Sequence, residues 1–498
     1  MLLHYLEFLA LAVVHVGCVL SQTTTVPAAG SCPTVLTPSY SAPVVGTGYT
    51  YQLIVTGLTK PRGLIFDNHG GLLVIQSGIG LTHISFNDNG GTCLSPSLTT
   101  LLVNDTSLNH GIELSSDGRT LYASSSDQVY SWSYDPAAVT VSSRTTLITN
   151  MSNTDHTTRT LLLSRKNPGL LLVSRGSSEN MDPVAADVTS GHSQIRAFNI
   201  SSVSAPYNYP VDGIMLGWGL RNSVGIAEEP LTGGIYSVEN SADQLKRQGT
   251  DIHEENPGEE MNFHGFLNDT AHNQYLGRNY GYPGCFAVWD TNLPNKGNLK
   301  TGDQFVLDPS ATLNDTTCAQ DRIPPRLTFE AHMAPLDIKF TPDGSRAYIT
   351  FHGSWNRDEP AGYKLSIVDF SDGSPVSPSD ATDAARDVLS NPDNSVCPGK
   401  CFRPAGVALD SGGRVFMTSD ATGEIYVLAQ GEMTISGGGG GGSSMTTTGA
   451  LVTNTAGGGG TPNVAAGMVA GRGGDRRVLG VLVMVMLGAV GGAMLVVG

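Results

Sequence analysis

The chain has 498 residues, with 28 Lys and Arg against 44 Asp and Glu, for a formal net charge of −16. That excess repels polyanions, which excludes nucleic acid and anionic membrane surfaces as general partners and leaves neutral small molecules as the expected ligands. Charged residues make up only 14% of the chain and glycines number 61, a balance that suits many short strands and turns rather than charge-laced helices. A closed all-β architecture can hold this length as one domain.

Residues 1–21 read as a secretory signal peptide: Phe8 to Leu20 is largely apolar, and Val19 and Ser21 occupy the positions a signal peptidase reads, which predicts cleavage after Ser21. Removal of Cys18 with that segment leaves Cys32, Cys93, Cys285, Cys318, Cys397 and Cys401. An even count in an oxidising compartment favours disulfides, and proximity pairs Cys32 with Cys93, Cys285 with Cys318 and Cys397 with Cys401, among the other pairings that six cysteines permit. Sequons at Asn104, Asn150, Asn199, Asn268 and Asn314 fit the same compartment and mark surface loops.

Residues 22–434 form the predicted folded domain, and its pattern is a repeat. PRGLIFDNHGGLLVIQS from Pro61 is matched by NHGIELSSDGRTLYASS from Asn109, TRTLLLSRKNPGLLLVSRG from Thr158, RNSVGIAEEPLTGGIYSVE from Arg221, APLDIKFTPDGSRAYITFH from Ala334 and RPAGVALDSGGRVFMTSD from Arg403. Each is a polar or cationic opening, an apolar strand, a turn and a second strand, which is an inner hairpin. The units recur every 48 to 69 residues except across one gap of 113, which holds an insertion with Cys285 and Cys318. That gap has room for a seventh unit, but no further copy lies inside it, so the expectation is an all-β, six-bladed β-propeller with a central funnel. The opening residues should converge on one face of that funnel.

Those openings carry Arg62, His110, His156 with Arg159, Arg221 with Asn222, His332 and Arg403. One such cation would be an ordinary solvated rim. Their recurrence points instead to a shared anionic ligand, because the guanidinium fork matches a carboxylate. The Glu259, Glu260 and Asn262 cluster reads as a solvated acidic turn, with an oxygen-ligand calcium site as the alternative.

Four ordered segments carry a family resemblance: HTTRTLLLS at 156–164 with SRGSSEN at 174–180, GLRNSVGIA at 219–227, NYGYPG at 279–284 and HGSWNRDEPAGYKL at 352–365. Across about residues 45–430 the chain resembles the PQQ-dependent glucose and sorbosone dehydrogenases, nearest to the fungal pyranose dehydrogenase branch. The resemblance implies pyrroloquinoline quinone (PQQ), a tricarboxylate quinone, and Ca2+ in the funnel. It implies oxidation of a pyranose sugar at the anomeric carbon, with electrons passed to an external acceptor such as a copper polysaccharide monooxygenase or a quinone.

Carried onto this sequence, the resemblance makes His156 the general base and gives Arg221 and Asn222 the quinone oxygens. Arg62, His352, Arg357 and Arg403 are assigned to the cofactor carboxylates or the adjacent rim. The backbone carbonyls of Ser241 and Ala242 are the implied calcium ligands. The bacterial branch uses a Lys near HGSWNR; none stands here before Lys364, so Arg357 is the expected substitute. Two rival functions are a calcium-dependent propeller lactonase, which needs carboxylates at the openings, and a non-catalytic interaction propeller, which needs none of these motifs.

Residues 435–467 are rich in Gly, Ser and Thr and cannot form a core, so they read as a flexible stalk. Residues 468–498 place a ten-residue spacer and a 21-residue apolar tail after the small residues Ala465, Ala466 and Gly467. That order is the signal for a GPI anchor, with a single tail-anchoring helix as the alternative, and it is the expected contact with a membrane.

Overall fold

The LLVIQ run at Leu72–Gln76 is apolar at every position but the last, which requires a strand buried on both faces. The computed structural model, which describes residues 32–431 except 269 and 271, satisfies that requirement with stacked sheets. Leu72 and Val74 pack toward the sheet on one side, against Phe416 and Ile425, while Leu73 and Ile75 pack toward the other, against Leu121 and Ala123. Each apolar side chain so buried contributes about 1.5–3 kcal/mol. Among the described residues no single core exists; most of the buried apolar surface is divided among six interfaces between neighbouring sheets, with separate clusters such as that of Tyr282, Phe286 and Phe305.

Six sheets account for these interfaces. Their innermost strands are Pro61–Phe66, Leu108–Leu114, Leu161–Leu163, Ser223–Glu228, Pro335–Phe340 and Pro404–Leu409, opening blades 1 to 6. Each innermost strand neighbours the next, and the last neighbours the first. Each pairs with an antiparallel second strand, as the repeat predicts. The ring is latched by Tyr49–Val55, which forms the outer strand of blade 6 against Glu424–Gln430. The described residues form a six-bladed β-propeller.

The long gap belongs to blade 4. Its third strand, Glu259–Phe266, and fourth, Leu327–Phe329, are separated by a short ribbon of Phe286–Ala287 with Gln304–Phe305 and a helix at Asp315–Asp321 capped by Asn314. The Cys285–Cys318 disulfide staples this insertion, and Cys32–Cys93 and Cys397–Cys401 are also paired. The run at Glu259, Glu260 and Asn262 is buried strand, which corrects its reading as a solvated turn. The segments read as a signal peptide, a stalk and an anchor signal lie outside the described residues, among which no helix is long and apolar enough to cross a membrane.

Close approach of the inner strands explains one feature of the repeat. A Cβ on Gly63 would lie 2.2 Å from the His110 carbonyl oxygen of the next blade, and one on Gly406 would lie 2.3 Å from that of Arg62. Where the equivalent position carries a side chain, that side chain bonds the next inner strand: Thr160 donates to the Val224 carbonyl, and Asp337 accepts the Val407 N–H at 2.9 Å. Gly63→Ala should therefore force two inner strands apart and destabilise the protein by about 1–3 kcal/mol. Thermal or denaturant unfolding checks this, with the exposed Gly399, whose Cβ would come no nearer than 3.8 Å to another atom, as reference.

Candidate functional site

In an antiparallel hairpin the start of the first strand lies beside the end of the second, so one face of the propeller collects both. On that face His156, Arg221, Asn222, Asn240, Ser241, Asp243, Glu259, His332, His352, Trp355, Asn356 and Arg403 line a cavity. It opens toward Asp155, Asn180 and Gln244, with His156, Arg221, Asp243 and Trp355 common to both parts. Trp355 is 66% exposed at the mouth.

The structure thus brings together His156, Arg221, Asn222, Ser241, His352 and Arg403 of the sequence candidates, and His332 with them. Five others do not line it with their side chains, Arg159 among them, buried against the loop that carries His156. Arg62 is held by the Asp420 carboxylate and donates Nε–H to His110 Nδ1 at 3.3 Å, so it backs His352, which reaches the same Asp420 at 2.8 Å, rather than lining the cavity. His110 itself is buried behind that contact. Arg357 is paired with Glu255 and Glu330, each at 3.0 Å, and does not take the position expected of a substitute for the bacterial Lys. Ala242 is buried among Ala185, Leu245 and Tyr282, so only its main chain could reach a ligand.

Asp243 is the electrostatic hub. It meets Arg221 Nη2 at 3.1 Å, His332 Nδ1 at 3.2 Å and the Asn356 side-chain amide at 3.2 Å. Burial alone would raise the Asp243 pKa, but the His332 hydrogen bond and the Arg221 charge outweigh it and hold the carboxylate ionised. Burial likewise opposes charging of His332, yet the Asp243 contact and the Glu259 charge raise its pKa. Its Nε2 faces the His253 carbonyl, an acceptor, so this ring donates at both nitrogens.

Arg221 also gives Nε–H to the Asn180 carbonyl, Nη1–H to the Asn240 carbonyl and Nη2–H to Asn180 Oδ1. Of its five N–H groups one, on Nη1, is left for a ligand. Arg403 differs: it donates only to the carbonyls of His352 and Gly353, and no carboxylate lies within ion-pair distance among the described residues.

Glu259 lines the cavity, and Glu239 and Glu260 are buried next to it as a cross-strand pair. Glu259 accepts the N–H groups of Ser241 and Ala334, Glu239 accepts that of Arg221 at 2.6 Å, and Asn262 bridges Glu239 and Glu260. Burial pushes Glu259 and Glu260 up to about 7, with the charge of His332 opposing at Glu259. The carboxylates therefore hold the cavity's main chain in place.

His156 Nδ1 lies 3.1 Å from the Ser177 carbonyl oxygen and 2.9 Å from its hydroxyl. The Ser177 hydroxyl gives its own hydrogen to the Glu179 carbonyl at 2.8 Å, and a carbonyl only accepts, so Nδ1 carries the hydrogen and Nε2 keeps its lone pair, 3.9 Å from the nearest Asp155 oxygen. Gly176 makes room for this ring: a Cβ there would lie 2.6 Å from Asn222 Oδ1 and 2.8 Å from His156 Cβ. Burial, reinforced by the Arg221 charge, pushes the His156 pKa down to about 4, against the opposing pull of Asp155. In the cofactor-free protein the ring should stay neutral from pH 8 down to about 5 and protonate near 4, as followed by histidine NMR shifts. A midpoint near the ordinary 6.5 would contradict this.

Asn240, Asp243, Trp355, Asn356 and Asp420 were not among the sequence candidates. All follow the second strand of a hairpin, whereas the recurring cations stand at the openings of the first, and the family resemblance pointed only to Ser241, Ala242, His352 and Arg357 after the second. The antiparallel pairing of the repeat is itself the signal that finds them.

Comparison with known proteins matches this arrangement to one family. The TrAA12-like family model matches residues 43–431. A pyrroloquinoline quinone-dependent sugar dehydrogenase of Hypocrea jecorina is 52% identical over 79% of this chain and 90% of its own length. A pyrroloquinoline quinone-dependent pyranose dehydrogenase of Coprinopsis cinerea is 36% identical over 80% of this chain and 56% of that longer one. The calcium structure of a Trichoderma reesei carbohydrate-active enzyme of family AA12 superimposes with a TM-score of 0.78 at 51% identity, covering 80% of this chain and 99% of that one. The holo PQQ domain of the Coprinopsis cinerea pyranose dehydrogenase does so at 0.75 and 36% identity, with the same coverage. The chain belongs to the TrAA12-like family.

Proposed function

We propose that the cavity oxidises a pyranose sugar at its anomeric carbon, using PQQ as the hydride acceptor. The observation that carries this reading is the pairing, in one cavity, of a cation without a carboxylate partner, Arg403, with a histidine whose Nε2 is free to take a proton. An anionic, planar cofactor fits that donor set: Arg403 and the remaining Nη1–H of Arg221 would hold its oxygens, with Asn222 and His352 beside them. A neutral histidine near physiological pH suits the same chemistry.

In this mechanism PQQ, when bound, supplies a quinone that accepts hydride from the sugar. His156 Nε2 accepts the proton of the anomeric hydroxyl as that hydride leaves. Arg221, fixed by Asn180 and Asp243, presents a guanidinium hydrogen that needs no reorganisation to meet developing negative charge. Trp355 offers the sugar an apolar ring face at the mouth.

A calcium ion is part of the proposal. Among the described residues no hydrogen bond is donated to the carbonyls of Ser241 or Ala242, and no group of three or more His, Cys, Asp or Glu side chains is placed to hold a metal, so ligation would fall to these main-chain oxygens. Oxygen ligands of that kind fit a hard cation, which would supply Lewis-acid polarisation there. The lactonase reading is weaker, because the Asp243 and Glu259 carboxylates that line the cavity are already engaged by Arg221, His332 and main-chain N–H groups.

We also propose secretion with cell-surface attachment through the C-terminal signal, and an external electron acceptor, either a copper polysaccharide monooxygenase or a small quinone. Four sequon asparagines, Asn104, Asn150, Asn199 and Asn268, are exposed, which supports a glycosylated, extracellular chain.

Two substitutions test the catalytic roles. His156→Ala should lower turnover by about 100- to 10,000-fold while PQQ affinity is largely kept, whereas His110→Ala, away from the cavity, should keep turnover. Arg221→Ala should lower turnover at saturating PQQ by roughly 100-fold or more, and Arg221→Lys should recover little, because a point charge cannot replace the fork. Unimpaired turnover in His156→Ala would remove the base from this residue.

A further inference from the structure

His156 sits on the segment Met151–Thr158, which has no regular secondary structure. A catalytic ring on a loop must be held by something other than a strand ladder. Arg159 supplies part of the restraint. It is wholly buried, has no carboxylate within ion-pair distance among the described residues, and spends its guanidinium on main-chain oxygens of this loop: Met151, His156 at 2.7 Å and Thr158 at 2.6 Å.

The other part comes from Asn153. Its Nδ2 lies 3.2 Å from the His156 carbonyl oxygen, 2.7 Å from that of Gly176 and 3.0 Å from that of Ser177. Its Oδ1 accepts Arg175 Nε–H at 3.1 Å, which leaves no ambiguity about which end of the amide donates. The Ser177 oxygen is the one that receives the Nδ1–H of His156. One amide group therefore ties the backbone of His156 to the acceptor of its own ring.

We propose that Asn153 is the positioning residue for His156: it places the Ser177 carbonyl so that the ring keeps its hydrogen on Nδ1 and its lone pair on Nε2, facing the cavity. The inference rests on the reading of His156 as the base. Without Asn153 the Ser177 carbonyl and the His156 backbone lose their common tether, the ring can rotate or take the other tautomer, and the proton acceptor is then mispositioned for part of the time. A displacement of about 1 Å at such a group costs up to about 100-fold in rate.

The test uses Asn153→Ala, with Asn153→Ser as a second variant that keeps one donor. In the cofactor-free protein, 15N shifts of the His156 ring should report the Nδ1–H tautomer in the parent and a mixture in Asn153→Ala. In the PQQ- and calcium-loaded protein Asn153→Ala should lower kcat by about 10- to 100-fold with little change in PQQ affinity, and Asn153→Ser should lie between it and the parent. Placed on a His156→Ala background, Asn153→Ala should have no further effect on kcat, because it acts only through that ring. An unchanged tautomer and kcat in Asn153→Ala, or a loss that adds in full to that of His156→Ala, overturns the proposal. Parent-like turnover in His156→Ala overturns instead the assignment of the base.

Discussion

The close approach of six inner strands around one axis is the constraint on which the rest of the structure depends. Side chains can be omitted there, as at Gly63 and Gly406, or used to bond the next strand, as at Thr160 and Asp337. Either choice draws the strand openings and the hairpin ends onto one face. The apolar strands behind them are buried on both sides by neighbouring blades, so the face that carries polar chemistry adds nothing to the packing and is free to be specialised. The cavity draws its lining from blades 3 to 6, while the openings of blades 1 and 2 are closed by Arg62 and His110.

Within the cavity, charge is balanced unevenly, and the imbalance is informative. Asp243 neutralises Arg221 and His332, buried carboxylates hold the cavity's main chain, and Arg403 is left without an acidic partner. Arg403 is only partly buried and lines the cavity, so its charge is open to a partner from a ligand. A ligand carrying carboxylates would supply that partner. The proposed base is treated in the opposite way: burial and the nearby Arg221 charge keep His156 neutral, so that its lone pair is available across the physiological range.

Much of this was legible in the sequence, for identifiable reasons. The hairpins at Pro61, Asn109, Thr158, Arg221, Ala334 and Arg403 were visible because turn residues and two-sided apolar strands are local properties. His156, Arg221, Asn222, His352 and Arg403 lay at the site because they sit in segments at the strand ends of the hairpins. Arg62 and Arg357 did not, because whether a cation faces a ligand depends on whether a carboxylate reaches it first, and Asp420, Glu255 and Glu330 are distant in the chain. The burial of Glu259 and Glu260 was equally hidden, since acidic residues in strand Glu259–Phe266 look like a solvated turn until the neighbouring blade covers them.

The account stands on the cavity being an anionic-cofactor site that serves sugar oxidation. Titration of PQQ into the calcium-loaded protein, followed by calorimetry and by quinone absorbance, measures this directly. The account predicts one PQQ per chain, reduced when a suitable pyranose is added and reoxidised by an artificial dye. A protein that binds no PQQ with or without calcium, or that binds it without affecting Arg403→Ala and parent differently, would contradict it.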